Sequence, residues 1–323
     1  MNKEEIKDTL SITNLKKAYE VASSYFHETP IVKSDFISEK LGVNVFLKLE
    51  DQQKTNAFKF RGAVNALLSL NFDGKEKVVV CSSSGSHALG MCKAGKNLGI
   101  KIIVFLPKIT PQYKVDKIKR LGGEINFFGE FLGDAQLEAE RFAKERSFFY
   151  ISPYNHPSTI QGNGGFIAHE IMNSKIHFSD IICPIGGGGL VSGLAAALSL
   201  GGYNTDVIGV ESEANPSMRN AIINDNIDFP LNPKESIAEA LNCSVSYAGF
   251  PLIKEFVKDI CLVSEEKIKN TMKILLEKEG LLTEGAGAIA VAYLLNMEKV
   301  SKNKNYLLLV TGANIKKSTV KNL

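Results

Sequence analysis

Short apolar runs alternate with stretches of helical periodicity along most of the chain. Residues 11–25 read as an amphipathic helix, followed by a turn at Thr29-Pro30, and 44–50 alternate like a strand with one buried face. A helix is predicted over 62–70. Strands then fall at 77–82, 101–106 and 124–128, and helices at 86–98, 112–121 and 133–146. A second set places a helix at 158–173, strands at 180–185, 206–210 and 306–310, and helices at 190–200, 265–278 and 285–297. Apolar runs separated by helices of this length imply right-handed βαβ units with parallel strands buried on both faces. The expected fold class is therefore α/β, with two parallel-sheet domains and a cleft between them.

Composition narrows the function more than the fold. A length of 323 residues suits about two domains. The net charge of +3 is spread along the sequence, with acids offsetting lysines locally, so no basic face invites nucleic acid. Five cysteines (Cys81, Cys92, Cys183, Cys243 and Cys261) are odd in number, far apart and free of a C-x-x-C pair. That argues against a disulfide framework or a zinc site and for a reducing compartment. No signal-peptide core and no bilayer-length apolar stretch is present, so a cytoplasmic protein with no membrane partner is expected. Roughly a dozen residues follow the last strand, too few for a C-terminal regulatory domain of ordinary size.

The chemistry gathers around Thr55-Asn56-Ala57-Phe58-Lys59-Phe60-Arg61-Gly62-Ala63. A lysine between two phenylalanines is a candidate for a depressed pKa and a nucleophilic amine of the kind that forms Schiff bases. A lysine that snorkels past two core rings to solvent is the alternative. Gly186-Gly187-Gly188-Gly189-Leu190 joins a strand to a helix, where glycine backbone can fold tightly around an anion at a helix N-terminus. No Lys-Ser or Lys-Thr follows, which excludes the Walker motif. A dinucleotide site is a closer rival, because Glu211 ends the next strand about where a ribose-binding acid would stand. An NAD-dependent dehydrogenase is thus the remote alternative, and a purely structural loop the plain one.

Ser82-Ser83-Ser84-Gly85-Ser86-His87 also links a strand to a helix, and suits either a carboxylate or ordinary N-capping. Thr311-Gly312-Ala313-Asn314 leaves the last strand at the end where α/β sheets bind ligands.

In order and spacing these motifs, with Pro153-Tyr154-Asn155-His156-Pro157 and Glu284-Gly285-Ala286-Gly287-Ala288, resemble the fold-type II pyridoxal-phosphate enzymes over nearly the full chain. Within them the likeness is to the threonine dehydratase and serine racemase group. The resemblance implies a tryptophan synthase β-like fold, with residues 1–72 and 155–323 as a large cofactor domain and 73–154 as a small mobile one. Lys59 would bind pyridoxal 5′-phosphate, Phe58 would lie by its ring, Gly186 to Leu190 would hold the phosphate, and Thr311 would hydrogen-bond the ring nitrogen. Ser83, Ser84, Gly85 and His87 would hold the substrate carboxylate, with Ser84 also matching the second-face acid/base of the racemases. Ser86 stands where the family has an asparagine that contacts the cofactor. Glu211 matches a metal-binding glutamate of the racemases, but Ser217 stands near where a partner aspartate belongs, which leaves a divalent ion in doubt.

The activity implied is β-elimination on a hydroxy amino acid such as L-threonine or L-serine, giving a 2-oxo acid and ammonia. Serine racemisation and β-replacement are the alternatives within the family. The expected partners are a small amino acid and further copies of the chain, in a dimer or tetramer.

Overall fold

The computed structural model describes residues 3–230 and 234–316. Its ten strands are β1 (Ile31–Lys33), β2 (Asn44–Leu49), β3 (Val78–Ser82), β4 (Lys101–Leu106), β5 (Glu124–Phe127), β6 (Phe149–Tyr150), β7 (Asp180–Pro184), β8 (Asp206–Ser212), β9 (Asp259–Val263) and β10 (Asn305–Val310). They form two sheets, one of six strands in the order β1-β2-β10-β7-β8-β9 and one of four in the order β5-β4-β3-β6. Only β1 runs antiparallel, against β2; the other pairings are parallel.

The four-stranded sheet is built wholly from residues 78–150, while the six-stranded sheet takes its strands from both sides of that stretch. β10 lies between β2 and β7, so the end of the chain returns to the centre of the larger sheet. The central strands β3, β7 and β10 are apolar on both faces because helices cover both sides. Helices Gly189–Leu200 and Gly285–Leu295 are rich in Ala, Gly and Leu and buried along almost their whole length. A helix that is hydrophobic all round belongs inside a core rather than on a surface.

Several predicted bounds move. The helix predicted over 11–25 spans Ile12–Ala22 and is preceded by an unpredicted helix, Lys3–Leu10, and the region at 158–173 is interrupted by a π segment over Gln161–Gly165. The helix predicted over 62–70 spans Lys59–Leu68, which puts the candidate lysine inside its first turn. β1, the two-residue β6, β9 and helix Asp35–Leu41 were not expected, and the first two are too short to carry a periodic signal.

In parallel sheets the carboxyl ends of the strands face the ligand crevice. Here β2 leads into the lysine stretch, β3 into the serine turn, β7 into the tetraglycine turn and β10 into Thr311. Four remote segments therefore arrive at one place.

Candidate active site

Lys59 sits in the first turn of its helix, and the turn before it is strained. Thr55 and Asn56 both have left-handed backbone, with φ of 67° and 55°. Asparagine tolerates that region, but a β-branched threonine rarely enters it. The end of the chain holds this turn in place. Phe58 N–H donates to Thr311 O (3.2 Å), Ala313 N–H donates to Asn56 O (2.9 Å), and Ala57 bridges to Gly312.

Among the described residues the Lys59 ammonium has no carboxylate partner. Its Nζ donates to Pro153 O at 3.1 Å and lies 5.1 Å from the centre of the Phe58 ring. Burial pushes its pKa below the ordinary lysine value, which Cys243 opposes only in part. Loss of water around an unpaired cation favours the neutral amine, the form that attacks an aldehyde.

Lys59 opens onto two joined spaces. A slot of about 60 Å³ is lined by Phe58, Lys59, Ser86, Gly186, Gly187, Gly188, Gly189, Leu190, Glu284 and Thr311, among others. A wider cavity of about 700 Å³ includes Ser83, Ser84, Gly85, Ser86 and His87, with Tyr113, Lys114 and Glu239. Lys59, Ser86, Tyr154, Cys243 and Glu284 line both.

The tetraglycine turn is shaped as a cradle. Gly188 takes φ +98°, which favours glycine, and a Cβ on Gly187 would fall 2.5 Å from the Tyr154 ring. The helix Gly189–Leu200 begins here, so its first amides have no partner inside the helix and its positive end faces the slot. An anion fits this corner, and an aldehyde fits the amine at the other side of the same slot.

Thr311 is buried at the C-terminal end of β10, with its hydroxyl donating to Ala286 O at 3.0 Å. His87 is a poor base. Burial and the nearby Lys59 charge push its pKa down to about 3, and its Nε2 meets Ile151 O at 3.2 Å. Glu211 lies outside both spaces. Its two carboxylate oxygens accept the N–H groups of Met218 and Arg219, each at 2.9 Å, so it caps the helix Ser217–Ile223. Its carboxylate is thus engaged by backbone amides, away from the slot and the wider cavity. No group of three or more His, Cys, Asp or Glu suited to a metal occurs among the described residues.

The profile of the pyridoxal-phosphate dependent enzymes matches residues 22–312. The chain belongs to that family. It is 33% identical over 313 residues to a catabolic L-threonine dehydratase of Staphylococcus aureus, covering 95% of this chain and 89% of the relative. Among solved structures it resembles maize serine racemase, with a TM-score of 0.88 and 28% identity over 97% of this chain and 96% of that one. It matches threonine deaminase isoform 2 of Solanum lycopersicum with the same TM-score and identity, over 100% of this chain and 88% of that one. The fold is the α/β fold of these fold-type II enzymes.

For a member of this family the slot has the right parts. Lys59 can take the cofactor's aldehyde, the glycine turn its phosphate, and Phe58 and Thr311 the ring.

Sequence reasoning passed over several residues that the fold brings here. Glu284 enters the sequence reading only as part of a motif, with no role of its own, yet its buried carboxyl lines both spaces, where burial raises its pKa to about 7. Cys243 gave no motif at all. Arg61 was quoted without a role, but it is fully buried in a charge cluster with Glu50, Glu170 and Lys48 directly beneath the lysine helix. Two acids among the apolar positions at 50 and 170 were the available signal, since buried charges require partners.

Proposed function

We propose that this enzyme eliminates water from an L-β-hydroxy amino acid, L-threonine or L-serine, and releases the corresponding 2-oxo acid and ammonia. The observation that carries the reading is the unpaired, desolvated Lys59 sharing one slot with a helix N-terminus built of glycines. The curated relative's name, L-threonine dehydratase, points the same way.

Bound pyridoxal phosphate would supply an electron sink for the bond broken at the substrate Cα. The chain supplies the rest. Lys59 Nζ, as a free amine, would take the Cα proton, a task that needs a pKa lowered toward neutrality. The serine turn at Ser83 to Gly85, at the head of a helix, receives the substrate carboxylate. Thr311 places a neutral hydroxyl rather than a carboxylate at the ring, so negative charge formed at Cα is stabilised less. Prompt departure of the β-hydroxyl is then favoured over slower transamination. Water lost in elimination is regained when the enamine hydrolyses, so the net change is hydroxy amino acid to 2-oxo acid plus ammonia.

We assign residues 73–154 to a small domain that closes over the substrate. The ion pair of Lys114 with Glu239 (3.1 Å), across the cavity mouth, supports that assignment. A cytoplasmic location is in keeping with five cysteines that are all free, and no described helix is long and apolar enough to cross a membrane. The enzyme is assigned a homo-oligomeric state on the family resemblance.

The test is direct. The purified protein should carry a visible band reducible by borohydride and form 2-oxo acid from L-threonine or L-serine; Lys59→Ala should lose both. A coloured, active Lys59→Ala protein would end this reading, and tight binding of a reduced dinucleotide would revive the dehydrogenase.

A further inference from the structure

We propose that Asn314 is a positioning residue that holds the Ser86 hydroxyl with its hydrogen turned into the cofactor slot, where it donates to the phenolic oxygen of the ring. The proposal rests on the assignment of that slot to pyridoxal phosphate.

Asn314 Nδ2 donates to Thr55 O at 2.9 Å and to Ser86 Oγ at 2.9 Å. A carbonyl oxygen can only accept, so the Thr55 contact fixes which end of the carboxamide is nitrogen. That nitrogen carries two hydrogens and no lone pair to offer. Both hydrogens are committed, and Ser86 Oγ must be the acceptor. The serine's own hydrogen is thereby left for another acceptor.

Ser86 opens the helix Ser86–Leu98 and lines both the slot and the wider cavity alongside Lys59. In pyridoxal the phenolic oxygen sits on the ring carbon next to the one that bears the aldehyde. A donor that shares the slot with the lysine amine is therefore placed for that oxygen. Asn314 is itself held close to the strained turn, since the N–H of its neighbour Ala313 donates to Asn56 O at 2.9 Å. One carboxamide thus ties together the strained turn before Lys59, the end of the chain and the helix that carries Ser86.

The experiment uses the cofactor-loaded enzyme and reads the pH midpoint of its visible band, which does not depend on turnover. Ser86→Ala removes the donor, leaves the phenolic oxygen more basic and should raise the midpoint by about one pH unit, the scale of one hydrogen bond to a charged oxygen. Asn314→Leu keeps the side-chain shape, removes the amide that orients Ser86 and should raise the midpoint in the same direction by less. The double variant should behave as Ser86→Ala alone, because the two act as one unit.

An unchanged midpoint in Ser86→Ala overturns the proposal, and so does a double variant whose shifts add. If Asn314→Leu does not fold, Asn314→Ala takes its place, and an Asn314 variant with the wild-type midpoint overturns the proposal as well. A wild-type protein that takes up no pyridoxal phosphate would defeat the functional reading itself, whereas a normal wild-type band with a silent Ser86→Ala defeats only this inference.

Discussion

Removing Arg61 should cost more than removing any exposed charge, and the cost should depend on pH in a defined direction. Arg61 is fully buried between two carboxylates. Its Nε and Nη2 donate to Glu50 (2.8 and 2.9 Å), its Nη1 and Nη2 to Glu170 (2.6 and 2.9 Å), and Lys48 pairs with Glu170 from the other side. Phe26 stacks on the guanidinium at 4.9 Å. Arg61→Leu fills much of the volume but strands the two acids with one lysine. Breaking a buried pair from one side costs about 3–5 kcal/mol. For a chain of this size that corresponds to a melting point lower by roughly 5–10 °C.

The sign of the pH effect follows from Glu50. Burial pushes its pKa up, but the Arg61 and Lys48 charges outweigh that and hold it below the ordinary glutamate value. A depressed carboxylate stabilises the fold above its unfolded pKa and loses that contribution as pH falls through the folded value. In Arg61→Leu the burial penalty dominates, and the Glu50 pKa moves above its unfolded value. The deficit is then fully present at neutral pH and shrinks as acid protonates the stranded carboxyl. Urea unfolding of wild type and variant at neutral pH and near pH 5 measures it. A deficit under about 1 kcal/mol, or one that grows on acidification, would refute the reasoning.

Other perturbations test the site itself. Gly188→Ala forces a Cβ onto backbone at φ +98° and to within 2.7 Å of Met218 Cε; it should cost about 1–3 kcal/mol and loosen cofactor retention, read by dialysis and reconstitution. Retention equal to wild type would remove the glycine turn from the phosphate site. Stripping the cofactor should lower stability by about 2.7 kcal/mol relative to enzyme kept at a hundredfold excess over Kd, visible as a concentration-dependent melting point. Ser84→Ala should reduce any serine racemisation, followed by chiral chromatography, more than it reduces 2-oxo acid formation; equal loss of both would count against a second base on that face.

The parts of the molecule that can be read locally are those whose signal is local. Repeated apolar runs at β3, β4, β7 and β10 announce buried parallel strands, and glycine repeats announce a tight corner at a helix start. What escapes is whatever depends on packing between remote segments. Glu50 and Glu170 lie 120 residues apart in sequence and meet only where Arg61 and Lys48 bridge them in the fold. Glu284 looks like an ordinary residue at a helix start until β10 brings Gly312 against it, where a Cβ would fall 2.5 Å from its carboxylate oxygen. Glu211 shows the converse: its position at a strand end reads as a ligand-binding acid, while the following turn folds back so that each of its oxygens accepts a backbone amide.

The same dependence on remote segments explains why the lysine is placed as it is. Left-handed backbone at Thr55 costs on the order of 1–3 kcal/mol and persists only where surroundings over-determine it. Here the surroundings are residues 311–314, which hold the turn through Thr311 O, the Ala313 N–H and the Asn314 carboxamide. The segment that carries Thr311 to the slot is thus also the one that fixes the approach to Lys59. Beneath the helix, Arg61 anchors its first turn to Glu50, the residue after β2, and to the helix Phe166–Met172. Lys59 is therefore constrained from above by the end of the chain and from below by a buried ion cluster, while its own amine is left without a counter-ion. A rigid frame around an unpaired cation keeps that amine from reaching solvent or a carboxylate, either of which would restore its ordinary basicity. The stability invested in the frame serves a reactive nitrogen.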